Sequence, residues 1–506
     1  MLSPRLAGLG KLSWGNRAYA LFLLCATTAV PLPAQTFTTL RSFDGADGYE
    51  PTAALVQATL GDLYGTTAYG GPTKCATNSS YVGCGTIFRI SPTRELTTLY
   101  NFCTQNGCPD GQFPFGGLVQ ATDGNFYGTT FGGGANGAGT VFKITPGGML
   151  TTLHSFAGYP TDGGNPLAAL VQATDGNFYG TTPYGGASEA FCGGFGTGCG
   201  TVFKITPGGT LTTLHSFDHG GGNTPFGALI QATNGNFYGT TSAGGANGGG
   251  TLFEITPGGT LTTLYNFCAQ SNCTDGFAPT GAVLQASDGN FYGTTQYGGS
   301  YGDYGTIFQI TSSGKLTTLH SFDNTDGWLP DGGLVQATDG NLYGATLFGG
   351  AQSAGTVFEI TPSGTLTTLH NFVGPPKEGQ YPGSGLVQDT NGKLYGTTES
   401  GGTLRGNSLC VSGSGGCGTV FGVSVGLGPF VETQTTSGKV GAAVKILGTY
   451  LTGATSVTFN GTAAVFKVVS SSLITTTVPT GATTGTVQVV TPSGTFSSNV
   501  IFRVAP

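Results

Sequence analysis

LVQATDGNFYGTT, running from Leu118 to Thr130, is the stretch that decides the fold. Leu118-Val-Gln120 and Phe126-Tyr-Gly-Thr-Thr130 are β-branched or aromatic runs, and Asp123-Gly-Asn125 between them is a tight-turn signal, so the stretch reads as a hairpin. It returns seven times, with its tyrosine at Tyr64, Tyr127, Tyr179, Tyr238, Tyr292, Tyr343 and Tyr395. Downstream of each hairpin a Gly-Thr-apolar-Phe phrase ends at Phe88, Phe142, Phe203, Phe253, Phe308, Phe358 and Phe421. A Leu-Thr-Thr-Leu-like phrase ends at Phe43, Phe102, Phe156, Phe217, Phe267, Phe322 and Phe372, joined to the one before it by turns such as Thr145-Pro-Gly-Gly148. Each period of roughly 50 to 60 residues therefore supplies four antiparallel strands, the content of one propeller blade. Helical repeats are excluded, because Gly and β-branched residues saturate these segments.

The phase of the repeat adds to this. The chain opens its first copy with a Leu-Thr-Thr-Leu-type strand, Thr36 to Phe43, and the seventh copy stops after Gly418 to Val425 without a fourth strand of its own. The N-terminal strand is thus expected to complete the last blade and to remove the open sheet edges that invite aggregation. The fold class that follows is all-β: a seven-bladed β-propeller over residues 36–426, with its N-terminal strand closing the last blade. The repeat resembles the GloVer-type extracellular tandem repeat of bacteria from residue 36 to about 425. That resemblance implies export and attachment through varied C-terminal modules, and it implies no particular reaction.

Composition shifts at Gly426-Leu-Gly428, and no blade phrase follows. Val444-Lys-Ile446, Ser456-Val-Thr-Phe459, Phe466-Lys-Val468, Ile474-Thr-Thr-Thr-Val478 and Val487-Gln-Val489 read as short strands at sandwich spacing. With Gly438, Gly448, Leu451, Ala454, Asn460-Gly461, Pro479, Gly485 and Thr491-Pro492 around them, residues 429–506 resemble an IPT/TIG domain, which implies an immunoglobulin-like β-sandwich serving as a spacer or adhesive module.

Residues 1–35 read as a cleaved signal peptide. Arg5, Lys11 and Arg17 precede an apolar core from Ala18 to Val30, which is too short to span a bilayer as an ordinary helix. No later stretch is apolar enough to span one, so an extracellular or cell-surface location is expected. Cleavage removes those three cations and no acid, which moves the formal charge from −7 to −10. Nucleic acid and anionic membrane surfaces need basic patches and are disfavoured as partners. Charged residues make up only 8% of the chain against a usual quarter, so little acid–base chemistry is available. The cysteines left after cleavage form five close pairs: Cys75/Cys84, Cys103/Cys108, Cys192/Cys199, Cys268/Cys273 and Cys410/Cys417. In an exported chain such pairs read as loop-clipping disulfides, and none has the spacing or the neighbouring His of a zinc site.

If the Leu-Val-Gln strand is innermost, both tight turns share one face and the long loops, with all the cysteine pairs, share the other. Variable loops on rigid strands make a binding surface. In six copies an acid precedes a proline by four residues: Asp47, Asp110, Asp162, Asp275, Asp326 and Glu378, with Gly221 in the fourth copy. Such a ring could offer oxygen ligands to Ca²⁺; the other reading is that each acid bonds its own turn. No other metal and no cofactor is expected. Five of these loops carry an aromatic residue, Tyr49, Phe113, Phe277, Trp328 and Tyr381, which would either stack on a sugar or peptide or plug the space between blades. Trp328 is the one Trp outside the leader. His154, His215, His320 and His370 share a strand position with Tyr100, Tyr265 and Arg41, and a position that accepts all three reads as a half-exposed blade edge. No nucleophile elbow, zinc helix motif or phosphate loop is found.

The function expected from these readings is a monomeric, non-enzymatic propeller that binds a glycan or a surface protein through its long-loop face. The alternatives are an extracellular polysaccharide lyase or hydrolase on the same scaffold, and a purely architectural surface protein. An acid or His peculiar to one blade and pointing into the channel would favour the enzyme.

Overall fold

The four repeated phrases become the four strands of each sheet, in chain order from the axis outward. In the first blade these are Val56–Gln57, Leu63–Thr67, Thr86–Ile90 and Leu96–Asn101, paired antiparallel in that order. The computed structural model describes residues 35–59, 61–72, 75, 83–187, 192, 198–402, 410 and 415–505, and the segment expected to be a signal peptide lies outside them except for Gln35. Seven such four-stranded sheets follow one another. The repeated Gly has a steric cause. A Cβ on Gly65 would stand 2.5 Å from the Phe88 ring and 2.8 Å from Leu55, so the third-strand Phe lies flat on the second strand only where that strand has no side chain.

The seventh sheet runs Val387–Gln388, Leu394–Thr398, Thr419–Ser424 and then Thr36–Ser42, so the N-terminal strand is its outer strand. The pairing copies the other blades in detail. In the first blade the register between third and outer strands slips between Ile87 and Phe88, and in the seventh it slips at the equivalent place, between Val420 and Phe421.

Adjacent sheets are joined by the repeated Gln. Gln120 Oε1 accepts from the Thr59 N–H in the preceding blade's turn at 3.0 Å, and the same bond recurs at each junction. Between the last blade and the first, Gln57 Oε1 accepts from the Thr390 N–H at 2.9 Å, and its amide donates to Thr390 Oγ1. The first Thr of Tyr-Gly-Thr-Thr adds a second link, as in Thr66 Oγ1 to Gly116 O and Thr397 Oγ1 to Ala53 O; the sixth blade has Ala345 there. Aromatic stacking completes the junctions, with Tyr127 on Phe178 at 4.0 Å and Tyr179 on Phe237 at the same distance.

The C-terminal domain is a sandwich of two four-stranded sheets around Val444, Ile446, Val457, Phe459, Ile474, Val487, Val489 and Phe502. All five strands read from the sequence are present. The domain rests on the tight-turn face of the propeller. Phe430 N–H donates to Thr390 O, Ser472 Oγ to Thr59 O, Lys445 Nζ to Thr122 O, and Arg503 reaches Thr233 O. The long-loop face carries none of these contacts.

Candidate functional site

The long loops begin where the outer strand of one blade ends and finish at the innermost strand of the next. Their conformation repeats more faithfully than their side chains. The residue before the loop Pro has positive φ in every copy: Glu50, Phe113, Asn165, Thr224, Ala278, Leu329 and Tyr381. Residues before Pro ordinarily stay extended, and non-glycine residues rarely turn left-handed, so each copy carries strain. The turn is held because the freed N–H donates across the junction, as from Phe113 to Cys84 O at 2.8 Å and from Glu50 to Cys417 O at 3.1 Å.

The loop acids are turned to their own blades. Asp162 pairs with His154 Nε2 at 2.8 Å and accepts from the Ala157 N–H at 2.7 Å. Asp326 pairs with His320 at 2.7 Å, and Glu378 with His370 at 3.1 Å. Asp110 and Asp275 accept from the hydroxyls of Tyr100 and Tyr265, and Asp47 meets Arg41 at 3.5 Å. The position shared by His, Tyr and Arg is therefore a partly buried donor that fixes the loop acid, a role beyond that of a blade edge. In the fourth copy Gly221 replaces the acid, and burial lowers the pKa of His215.

Each of the five loop aromatics packs on an aromatic residue that follows a Tyr-Gly-Thr-Thr or Tyr-Gly-Ala-Thr strand. Tyr69 lies 6.0 Å from Tyr49 and 5.2 Å from Phe113, and Phe348 lies 5.3 Å from Trp328 and 5.0 Å from Tyr381. Phe277 stacks on Tyr297. Trp328 is partly buried, with its Nε1–H donating to Asp303 O at 3.2 Å. The five disulfides join the pairs read from the sequence: Cys75–Cys84, Cys103–Cys108, Cys192–Cys199, Cys268–Cys273 and Cys410–Cys417. Among the described residues the one group of three metal-type ligands within reach of each other is Cys75, Cys84 and Cys103, and all three are in disulfides.

Inside the loop ring lies a central cavity of about 570 Å³, floored by small residues from all seven blades, such as Ala53-Ala54, Gly116-Gly117 and Gly332-Gly333. Most of its lining is Gly, Ala, Leu and Phe, but one arc differs. Asp331, Glu399 and Gln296 line it, and Glu50, outside the lining, is near enough for its charge to act on Glu399. Asp331 Oδ1 accepts from Thr280 Oγ1 at 2.6 Å and from Gln296 Nε2 at 2.7 Å. Glu399 lies against Gly383, where a Cβ would stand 2.6 Å from its Oε1. Burial pushes the Glu399 carboxyl up to about 8, with the charges of Glu50 and Asp331 adding to the effect. Burial also raises Glu50.

Sequence reasoning passed over this arc. Its signal was departure from the repeat. Where the seventh copy has Glu399, the others have Ala68, Phe131, Pro183, Ser242, Gln296 and Leu347; where the sixth has Asp331, the others have Thr52, Phe115, Leu167, Phe226, Thr280 and Gly383.

Together these features define a β-propeller with a C-terminal immunoglobulin-like domain. The model of the Gloeobacter/Verrucomicrobia repeat matches residues 28–191, 73–273 and 190–410, and that of the IPT/TIG domain matches residues 429–504. The chain belongs to the Gloeobacter/Verrucomicrobia repeat family and ends in an IPT/TIG domain. Among solved structures it is similar to a fungal alcohol oxidase of the AA5 family in complex with copper, at 13% identity, covering 93% of this chain and 99% of that one with a TM-score of 0.53. A likeness at that identity shows the fold alone. A putative 6-phosphogluconolactonase from Bacteroides uniformis (17% identity, 64% of this chain, 86% of that one, TM-score 0.43) and a periplasmic gluconolactonase from Pseudomonas aeruginosa (17%, 63%, 84%, 0.41) are also similar, too distantly to bear on function. No curated protein matches the chain. The repeat family, the disulfides and the TIG domain fit an extracellular β-propeller protein. Among the described residues no helix is long and apolar enough to cross a membrane.

Proposed function

We propose that this is an exported, surface or secreted glycan-binding propeller that holds a sugar chain at the long-loop mouth of its channel. The observation that carries the reading is the convergence of Asp331 and Glu399, from two different blades, on one arc of an otherwise neutral cavity, with Glu50 within electrostatic reach of Glu399. Asp331, fixed by Thr280 and Gln296, can accept from sugar hydroxyls, and the partly buried Trp328, three residues before it, adds an aromatic side chain on the same loop. The immunoglobulin-like domain, docked on the opposite face, leaves this mouth open and serves as spacer.

A second reading, glycoside hydrolysis, is favoured by one specific feature. Glu399 keeps its proton near neutral pH while Asp331 sits among hydrogen-bond donors, and carboxyl groups in unlike environments are the makings of an acid and a base. Glycan-array binding of the mature protein, with product analysis on each hit, tests both. Trp328→Ala and Asp331→Asn should each weaken binding at least tenfold, since stacked anchors often contribute about 2 kcal/mol. A substitution at Asn236, in a turn on the other face, should not. Loss of binding in the Asn236 variant with none in the other two would place the site on the wrong face. Released reducing ends that disappear in Glu399→Gln would establish the hydrolase.

A further inference from the structure

A second cavity, of about 380 Å³, lies on the opposite face, where the first and seventh blades meet the immunoglobulin-like domain. The other blades serve as internal controls for the residues around it. In the five other turns of this kind the left-handed position is Gly, as in Gly148 and Gly209, but the first blade has Arg94 there with φ +68°. The third-strand position filled by Arg89, Lys143, Lys204, Glu254, Gln309 and Glu359 is Gly422 in the seventh blade, opposite Tyr395, which is 9% exposed where its equivalents are 2% or less. The turn residue after Gly392 is Lys393, where five other blades have Asn and the first has Asp62. From the second domain comes Tyr450, 59% exposed and also left-handed at φ +64°. Arg94, Lys393, Tyr395, Gly422 and Tyr450 all line this one cavity.

We infer that this cleft is a binding site for an acidic saccharide, a sugar residue bearing a carboxylate or sulfate, held by Arg94 and Lys393 with Tyr450 against its ring. Two cations on neighbouring blades give the anion selectivity that the acid-lined channel mouth lacks. The one carboxylate in the lining, Asp389, accepts from the Asn391 N–H at 2.8 Å and feels the charge of Lys393, which leaves Arg94 as the cation without an acid in the lining acting on it. Hydroxyls of Ser91, Ser424, Thr449 and Ser472 supply the neutral partners that sugar hydroxyls need. The volume suits one or two sugar residues, within the usual range of small-ligand sites. A left-handed non-glycine residue is destabilising, so Arg94 and Tyr450 stand where the fold alone would favour Gly or Asn. Strained residues gathered at one cleft are the usual mark of a ligand site. This site does not depend on the channel reading.

Arg94→Gly is the discriminating variant, because it restores the residue the other turns use. It should melt at or above the temperature of the parent protein. Calorimetric titration of the mature protein should show binding of trigalacturonate or of a sulfated trisaccharide, weakened tenfold or more by Arg94→Gly and several-fold by Tyr450→Asn, and unchanged in Asn236→Ala. Neutral galactotriose should bind at least tenfold more weakly. Absence of binding by both acidic probes, equal binding of galactotriose, or unaltered affinity in Arg94→Gly would overturn the inference. Inorganic phosphate competing as well as the trisaccharides would reduce the site to a simple anion pocket and overturn the saccharide assignment.

Discussion

Removing residues 36–43 tests the architecture most directly, because it takes one strand from the seventh sheet and none from any other blade. Six residue pairs join Thr36–Ser42 to Thr419–Ser424. At about 1 kcal/mol net per backbone hydrogen bond, their loss costs on the order of 5 kcal/mol. Phe43, 2% exposed, packs on Phe88 of the first blade at 5.1 Å, and removing a buried Phe costs about 3 to 5 kcal/mol. Phe37 stacks on His370 at 3.7 Å and lies 5.5 Å from Phe421, so its loss also loosens the sixth blade. Together the loss is on the order of 10 kcal/mol, comparable with the whole stability of an ordinary domain. The edge of Thr419–Ser424 would also be bared to pair with other chains. Circular-dichroism melts and size-exclusion profiles of residues 35–506 and 44–506 should show the shorter protein unfolded or aggregated. A peptide spanning residues 35–44 added in trans should recover part of the transition. If the truncated protein stays monomeric and melts within about 3 °C of the longer one, the strand does not bind the ring together and the reasoning fails.

Buried acids in several parts of the chain also set a pH dependence. Glu399 is held at about 8, Glu432 at about 7, and Asp47 and Asp389 at about 6, so between pH 5 and 8 the folded chain binds more protons than the unfolded one and stability must fall as pH rises. Raising Glu399 from 4.5 to about 8 sets a ceiling of about 5 kcal/mol on its share, and relaxation should bring that to half or less. The melting temperature of the parent protein should drop across that window, and Glu399→Gln should flatten the slope; an identical slope in the variant would remove Glu399 from the account. For the disulfides, non-reducing mass mapping should return the five local pairs. Each closes a loop of only five to nine residues, so reduction of any one should lower stability by about 2 kcal/mol or less. Pairing between distant blades would contradict the assignment.

What was legible in the sequence was whatever repeats with period two or recurs from copy to copy. Hairpins, blade content, the shared strand at the seam and the second domain's strands all follow from local pattern, because each is a statement about neighbours in the chain. The roles of the repeated polar residues were not legible, because their partners are across a junction. The Gln of Leu-Val-Gln bonds a backbone N–H some 50 residues away, and a backbone partner leaves no mark in the sequence. The outer-strand position held by His, Tyr or Arg looked unconstrained because the donor varies while the acid it meets stays. The channel arc was hidden differently: residue 50 comes within reach of residue 399 only once the last blade closes on the first.

Departures from the repeat are therefore where function should be sought, but a departure has two possible causes, and they can be told apart physically. Asp389 replaces an Ala found in the other six copies, and it lies beside Thr390, which accepts the hydrogen bond of the incoming Phe430 N–H. That change belongs with docking of the second domain. Ala345 removes a junction hydroxyl and puts nothing new in its place. Asp331 and Glu399 are of another kind: both bring a charge into a cavity lined by small and apolar residues, Asp331 recruits Thr280 and Gln296 as donors, and Gly383 makes room for Glu399. Three blades have changed together to hold two carboxyl groups in an apolar cavity, one of which, Glu399, is raised by burial, an arrangement that costs stability at neutral pH and adds nothing to the ring. A scaffold selected only for architecture would keep the neutral residues its other copies use, so the purely architectural reading is the one these residues count against most directly.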